Sequence, residues 1–105
     1  MIEPVKTKSD LFARIHSNEA IIRSLGVDRL GIFGSFVRDS ATDKSDVDFF
    51  IHFLPQEKSF KNFMKLAAIL EDITGRKIEL ITPQSLSKHI GPHILKEVEY
   101  VPFAA

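Results

Sequence analysis

Two rhythms of apolar and polar positions run along the chain. Over residues 10–25, Leu11, Ile15, Ile22 and Leu25 fall close to one helical face. This spacing predicts a helix with Ser9 as N-cap and Gly26 as its stop. Residues 27–33 are short and apolar-rich and end at Gly34, which predicts a strand, and residues 35–41 predict a brief helix or turn opening at Ser35. Over residues 46–53 the rhythm changes to strict alternation. Val47, Phe49, Ile51 and Phe53 share one face, and Asp46, Asp48, Phe50 and His52 share the other.

Helical spacing returns over residues 59–74, with Phe60, Phe63, Met64, Ala67, Ile69 and Leu70 as the apolar positions and Gly75 as the stop. Residues 76–82 predict a third strand, with Ile78 and Leu80 on one face and Lys77, Glu79 and Ile81 on the other. Thr82 and Pro83 predict a cap and a first-turn proline opening a helix through residue 90. Gly91-Pro92 interrupts that helix, which resumes over residues 93–101 before a loose end at residues 102–105. The succession of elements predicts an α/β (α+β) fold with helices packed on one face of a small sheet. Three strands leave the other face open, and the carboxylates of Asp46 and Asp48 point there.

Composition narrows the setting. A length of 105 residues predicts one domain with a single core. Apolar residues make up 44% of the chain, and no apolar run reaches the roughly 20 residues of a membrane span. Fourteen basic and fourteen acidic residues cancel, which argues against direct nucleic-acid binding over a broad surface. The start lacks the apolar stretch of a signal peptide, and the absence of cysteine removes disulfides, thiolate nucleophiles and Cys-type zinc sites. A cytoplasmic location is expected.

Two aspartates at i and i+2 on a strand bring their carboxylates close enough to share a divalent cation, and without one they repel. Magnesium suits such a pair, because it takes a few carboxylate oxygens and completes its shell with water and phosphate. Glu79 is a third acid in an otherwise apolar strand. If the two strands are neighbours, three carboxylates could hold two metal ions, the clamp used for displacement at phosphorus. Gly34 after a strand lets backbone approach a ligand closely, and Ser35 offers a hydroxyl and neighbouring N–H groups to an anion such as a triphosphate. Metal binder and phosphate binder on consecutive strands is the pairing that nucleotidyl transfer requires.

The order Gly34-Ser35, ten residues, Asp46-Val47-Asp48, then Glu79 on a later strand resembles the signature of the DNA polymerase beta-like nucleotidyltransferase superfamily. Within it, residues 31–53, 76–87 and 94–101 resemble the minimal nucleotidyltransferase (MNT) proteins of bacteria and archaea, and the likeness runs from about residue 27 to residue 101. The resemblance implies a mixed-sheet core that transfers AMP from ATP with magnesium, two ions being expected. It implies that Gly34 and Ser35 hold the triphosphate, that Asp46 and Asp48 bind metal, and that Glu79 serves as third metal ligand or as base toward the acceptor hydroxyl. It also implies a protein partner, a HEPN-domain ribonuclease toxin, and the role of an antitoxin that adenylylates and silences it. Two positions depart from the family: Glu79 stands where Asp is commoner, and Asp39 stands where Gly is common.

Other residues carry two readings. Arg38, counted with the nucleotide-binding residues, either contacts phosphate or steadies the acids as an ion pair. Lys77 and Arg76 read as the solvated start of a strand, Ser45 as a turn residue, and His52 as a packed or rim residue. Tyr100 either packs or meets a partner. His16, His89 and His93 have no metal-ligand grouping. A non-catalytic module that masks its partner, and a small-molecule transferase of the aminoglycoside type, are the alternatives to protein adenylylation.

Overall fold

The computed structural model describes residues 3–89 and 91–103. The chain begins with α1 (Lys8–Ser17) and α2 (Glu19–Ser24), followed by β1 (Val27–Phe33) and β2 (Val47–Phe53). A long helix α3 (Phe60–Thr74) leads to β3 (Ile78–Ile81), then α4 (Gly91–Glu97) and the short β4 (Glu99–Tyr100). The strands form one mixed sheet in the order β3-β2-β1-β4. β1 lies antiparallel to β2 and to β4, while β2 and β3, joined across α3, run parallel.

The alternation read in β2 is the alternation observed. Val47, Phe49 and Ile51 are fully buried on one face, against Leu11 and Ile15 of α1, Ile22 of α2, and Leu66, Leu70 and Ile73 of α3. On the other face Phe33 and Phe50 pack with Ile94 of α4 and the partly buried Ile81, Leu86, Val98 and Tyr100. Three helices therefore cover one face, as expected. α4 covers part of the second, through Ile94 against Phe33 and Phe50.

Several boundaries move for local reasons. The first helix opens at Thr7 rather than Ser9, because the Thr7 hydroxyl accepts the Asp10 N–H at 3.0 Å while the Asp10 carboxylate accepts the Lys6 N–H. It breaks at Asn18, whose side-chain amide donates to the Arg14 carbonyl and whose own N–H folds back to Ile15. α3 is capped by the Ser59 hydroxyl, which accepts the Asn62 N–H, and is closed by Gly75 at φ 67°. Its buried stripe is Leu66, Leu70 and Ile73; Phe60, 80% exposed, and Met64 lie outside it, so these two are not core residues. Residues 34–39 form a turn rather than a helix. Pro83–Ser85 makes only a single 3₁₀ turn in place of the helix expected there. The final segment is helical only to Glu97. Glu99 and Tyr100 pair with Ile32 and Gly31 as a fourth strand, extended by the Val101 N–H to the Leu30 carbonyl. Ile90, Ala104 and Ala105 of the expected last helix and loose end lie outside the described residues.

Candidate active site

The site stands where β1 ends and β2 begins. Phe33, the last residue of β1, is the cross-strand partner of Asp48, and Asp48 is in turn the partner of Glu79 on β3. One row across three strands thus holds Phe33, Asp48 and Glu79. The neighbouring strands that the sequence required for Asp48 and Glu79 are present.

Gly34 follows at φ +78°, a conformation that disfavours any side chain. A second demand is steric: a Cβ at Gly34 would lie 2.1 Å from Asp48 Oδ2. Glycine is required here by conformation and by the approach of the carboxylate together. The turn beyond it is closed by the Arg38 N–H to the Gly34 carbonyl at 3.3 Å and the Ser40 N–H to the Ser35 carbonyl at 2.9 Å. Buried Phe36 anchors it in the core. Asp39 takes φ +56°, and its carboxylate accepts the Lys8 N–H at 3.1 Å, which ties the turn to the first helix.

Asp46 sits exposed just before β2, whose first residue is Val47, one later than expected. Its approach is fixed by Arg76. The Arg76 side chain donates to the carbonyls of Val5, Thr42 and Ser45 at 2.7, 2.8 and 2.9 Å, and its guanidinium lies 5.0 Å from the Phe36 ring centroid. Arg76 is therefore no solvated strand start but the strut of the loop that presents Asp46. Ser45 behaves as the expected turn residue, accepting the Thr42 N–H.

Burial, the adjacent Glu79 carboxyl, a hydrogen bond with it, and the charges of Asp46 and Glu97 together push the Asp48 carboxyl up to about 6. Among the described residues, none of Asp46, Asp48 and Glu79 forms an ion pair with Lys or Arg. Nor does any group of three or more His, Asp or Glu side chains form a ready-made metal cage there. Asp48 and Glu79 are brought together, while Asp46 acts on Asp48 by its charge from the rim. The donors are hard carboxylate oxygens crowded without a counter-charge, and this is the donor set magnesium takes.

Sequence reasoning missed Glu97. Its Oε1 accepts the Gly34 N–H at 2.8 Å and also pairs with Arg38, so Arg38 meets this glutamate in place of the aspartates. The signal was present in α4 and the residue after it: Ile94, Glu97 and Val98 recur at i, i+3 and i+4, which puts an acid on the packed side. His52 and Tyr100 are tied at 2.8 Å, with the Arg29 guanidinium 3.7 Å from the Tyr100 ring centroid. Burial and then the Arg29 charge lower the His52 pKa. Tyr100 and His52 pack against one another, half-buried, within the packed-or-rim reading given for His52.

Comparison with known families matches residues 17–101 to the polymerase beta nucleotidyltransferase family. The chain belongs to that family. Among relatives of this nucleotidyltransferase, the protein adenylyltransferase MntA of Thermococcus cleftensis is 38% identical over 76 residues, 72% of this chain and 76% of that one. A solved structure provisionally described as a minimal nucleotidyltransferase superposes with TM-score 0.77 at 22% identity, over 89% of this chain and 94% of its own. A toxin–antitoxin crystal structure with AMP-PNP gives TM-score 0.68 at 15% identity, over 89% and 73%. The complex of a tri-AMPylated Shewanella oneidensis HEPN toxin with its MNT antitoxin gives 0.63 at 12% identity, over 90% and 73%. These likenesses place the mixed sheet in the nucleotidyltransferase fold.

Proposed function

We propose that this nucleotidyltransferase is an antitoxin that transfers AMP from ATP to a hydroxyl of a HEPN-domain toxin and so inactivates it. The observation that carries the reading is the row Asp48–Glu79 set against the Gly34 turn, in a chain whose relative MntA is a protein adenylyltransferase. The AMP-PNP complex and the tri-AMPylated HEPN complex of structural neighbours support nucleotide use and a HEPN partner.

In this reading residues 1–105 act as one catalytic domain. Gly34, Ser35 and Arg38 receive the triphosphate with backbone N–H, hydroxyl and guanidinium donors. Asp46, Asp48 and Glu79 would hold magnesium, which supplies charge neutralisation to the triphosphate and to the pyrophosphate that leaves. The acceptor hydroxyl oxygen forms a bond to the α-phosphorus, the bond from that phosphorus to the bridging oxygen of pyrophosphate breaks, and Glu79 would take the hydroxyl proton. No helix among the described residues is long and apolar enough to cross a membrane. The proposed setting is the cytoplasm.

The test is to incubate the protein with ATP, magnesium and a HEPN-domain protein encoded beside it, and to read that protein's intact mass. A gain of one or more AMP units is expected. A stable complex without mass gain would favour masking over catalysis, and labelling of an aminoglycoside in place of the protein would favour the small-molecule reading.

A further inference from the structure

The two donors assigned to the triphosphate already hold an anion. Glu97 Oε1 accepts the Gly34 N–H at 2.8 Å and pairs with the Arg38 guanidinium. A backbone N–H at a positive-φ glycine beside an arginine is an arrangement that favours phosphate oxygens. The Gly34 N–H has one proton to give, so a phosphate oxygen and Glu97 compete for it. Glu97 is also movable: its side chain is 27% exposed, whereas Ile94 of α4 and Val98 just after it pack against Phe33 and Phe50 of the sheet without it.

We propose that Glu97 is a built-in occupant of the triphosphate seat, which nucleotide must displace from Gly34 and Arg38 before it is fully bound. The inference rests on the adenylyltransferase reading and specifies how its nucleotide site is regulated. Without nucleotide, Glu97 satisfies the turn's donors and screens the seat from weaker anions. On binding, the triphosphate takes over Gly34 and Arg38, and the freed carboxylate turns outward. Nucleotide affinity is thereby lowered by the work of breaking these contacts. The opposite possibility is a fixed strut, in which Glu97 holds Arg38 in place for phosphate. The two differ in sign.

The experiment is a calorimetric titration with AMP-PNP and magnesium of the wild-type protein, Glu97→Gln, and Glu99→Gln as a control for loss of a nearby negative charge that lies off these donors. The expected result is that Glu97→Gln binds about tenfold tighter, or about 1.4 kcal/mol, while Glu99→Gln matches wild type. Equal or weaker binding by folded Glu97→Gln, or equal tightening by Glu99→Gln, overturns the proposal. If Glu97→Gln does not fold, NMR on the wild-type protein decides: the Gly34 amide and Glu97 side-chain carboxyl resonances are expected to shift together during the titration. A Glu97 carboxyl that stays unmoved while Gly34 shifts overturns the proposal. Failure of both the wild type and Glu97→Gln to bind AMP-PNP overturns the adenylyltransferase reading, and this inference with it.

Discussion

Replacing Asp48 by Asn is expected to stabilise the metal-free protein at neutral pH while removing its activity. The carboxyl is pushed up from 3.8 to about 6, chiefly by burial and by Glu79. At about 1.4 kcal/mol per unit the whole shift corresponds to about 3 kcal/mol of unfavourable ionisation. Asp48 is only half-buried, so solvent screening reduces this to about 1 kcal/mol. The sign follows from linkage. A carboxyl whose folded pKa exceeds its unfolded one holds its proton more tightly in the folded state. Its contribution therefore falls as pH rises from about 4 to about 6 and stays low above that. Urea unfolding in EDTA checks this: the variant should be more stable than wild type by about 1 kcal/mol near neutral pH and equal to it at about pH 4, where neither side chain is charged in the fold. Added magnesium should raise the wild type alone and close the gap. A variant less stable than wild type at neutral pH, or a difference independent of pH, would refute the account of a crowded acid row.

Three further outcomes follow from the same geometry. Gly34→Ala places a methyl against Asp48 Oδ2 at φ +78° and is expected to lower stability by about 2 kcal/mol in urea titration. Arg76→Ala removes three charged hydrogen bonds to carbonyls and is expected to lose about 2–3 kcal/mol, whereas exposed Lys77→Ala stays within about 0.5 kcal/mol. If Glu79 takes the acceptor proton, Glu79→Gln should lose about 100-fold or more in AMP transfer and Glu79→Asp should keep most of it; equal loss in both would assign Glu79 a purely positional role.

Much of this was legible because β2 repeats with period two and its register is pinned by a buried face. Val47, Phe49 and Ile51 had to point inward, so Asp48 had to point out, and the parallel pairing then brought Glu79 beside it. What escaped depends on contacts between distant segments. Arg76 looked solvated because its partners are backbone carbonyls of Val5, Thr42 and Ser45, which no side-chain pattern displays. β4 is two residues long and continues a helical spacing, and only pairing to Gly31 and Ile32 makes it a strand. Phe60 and Met64 follow the helical spacing of α3 yet stay exposed, because apolar spacing alone does not say which stripe of α3 faces the sheet. Glu97 carried a helical-face signal, but its meaning needed the Gly34 turn to be placed opposite it.

The measurement that tests the central claim most directly is AMP transfer from labelled ATP to the proposed HEPN-domain partner by wild type and by the double variant Asp46→Asn with Asp48→Asn. Wild type is expected to label the partner in a magnesium-dependent manner, and the folded double variant is expected to leave it unlabelled. Labelling by the double variant at the wild-type rate would contradict the assignment of these two carboxylates as the heart of the site.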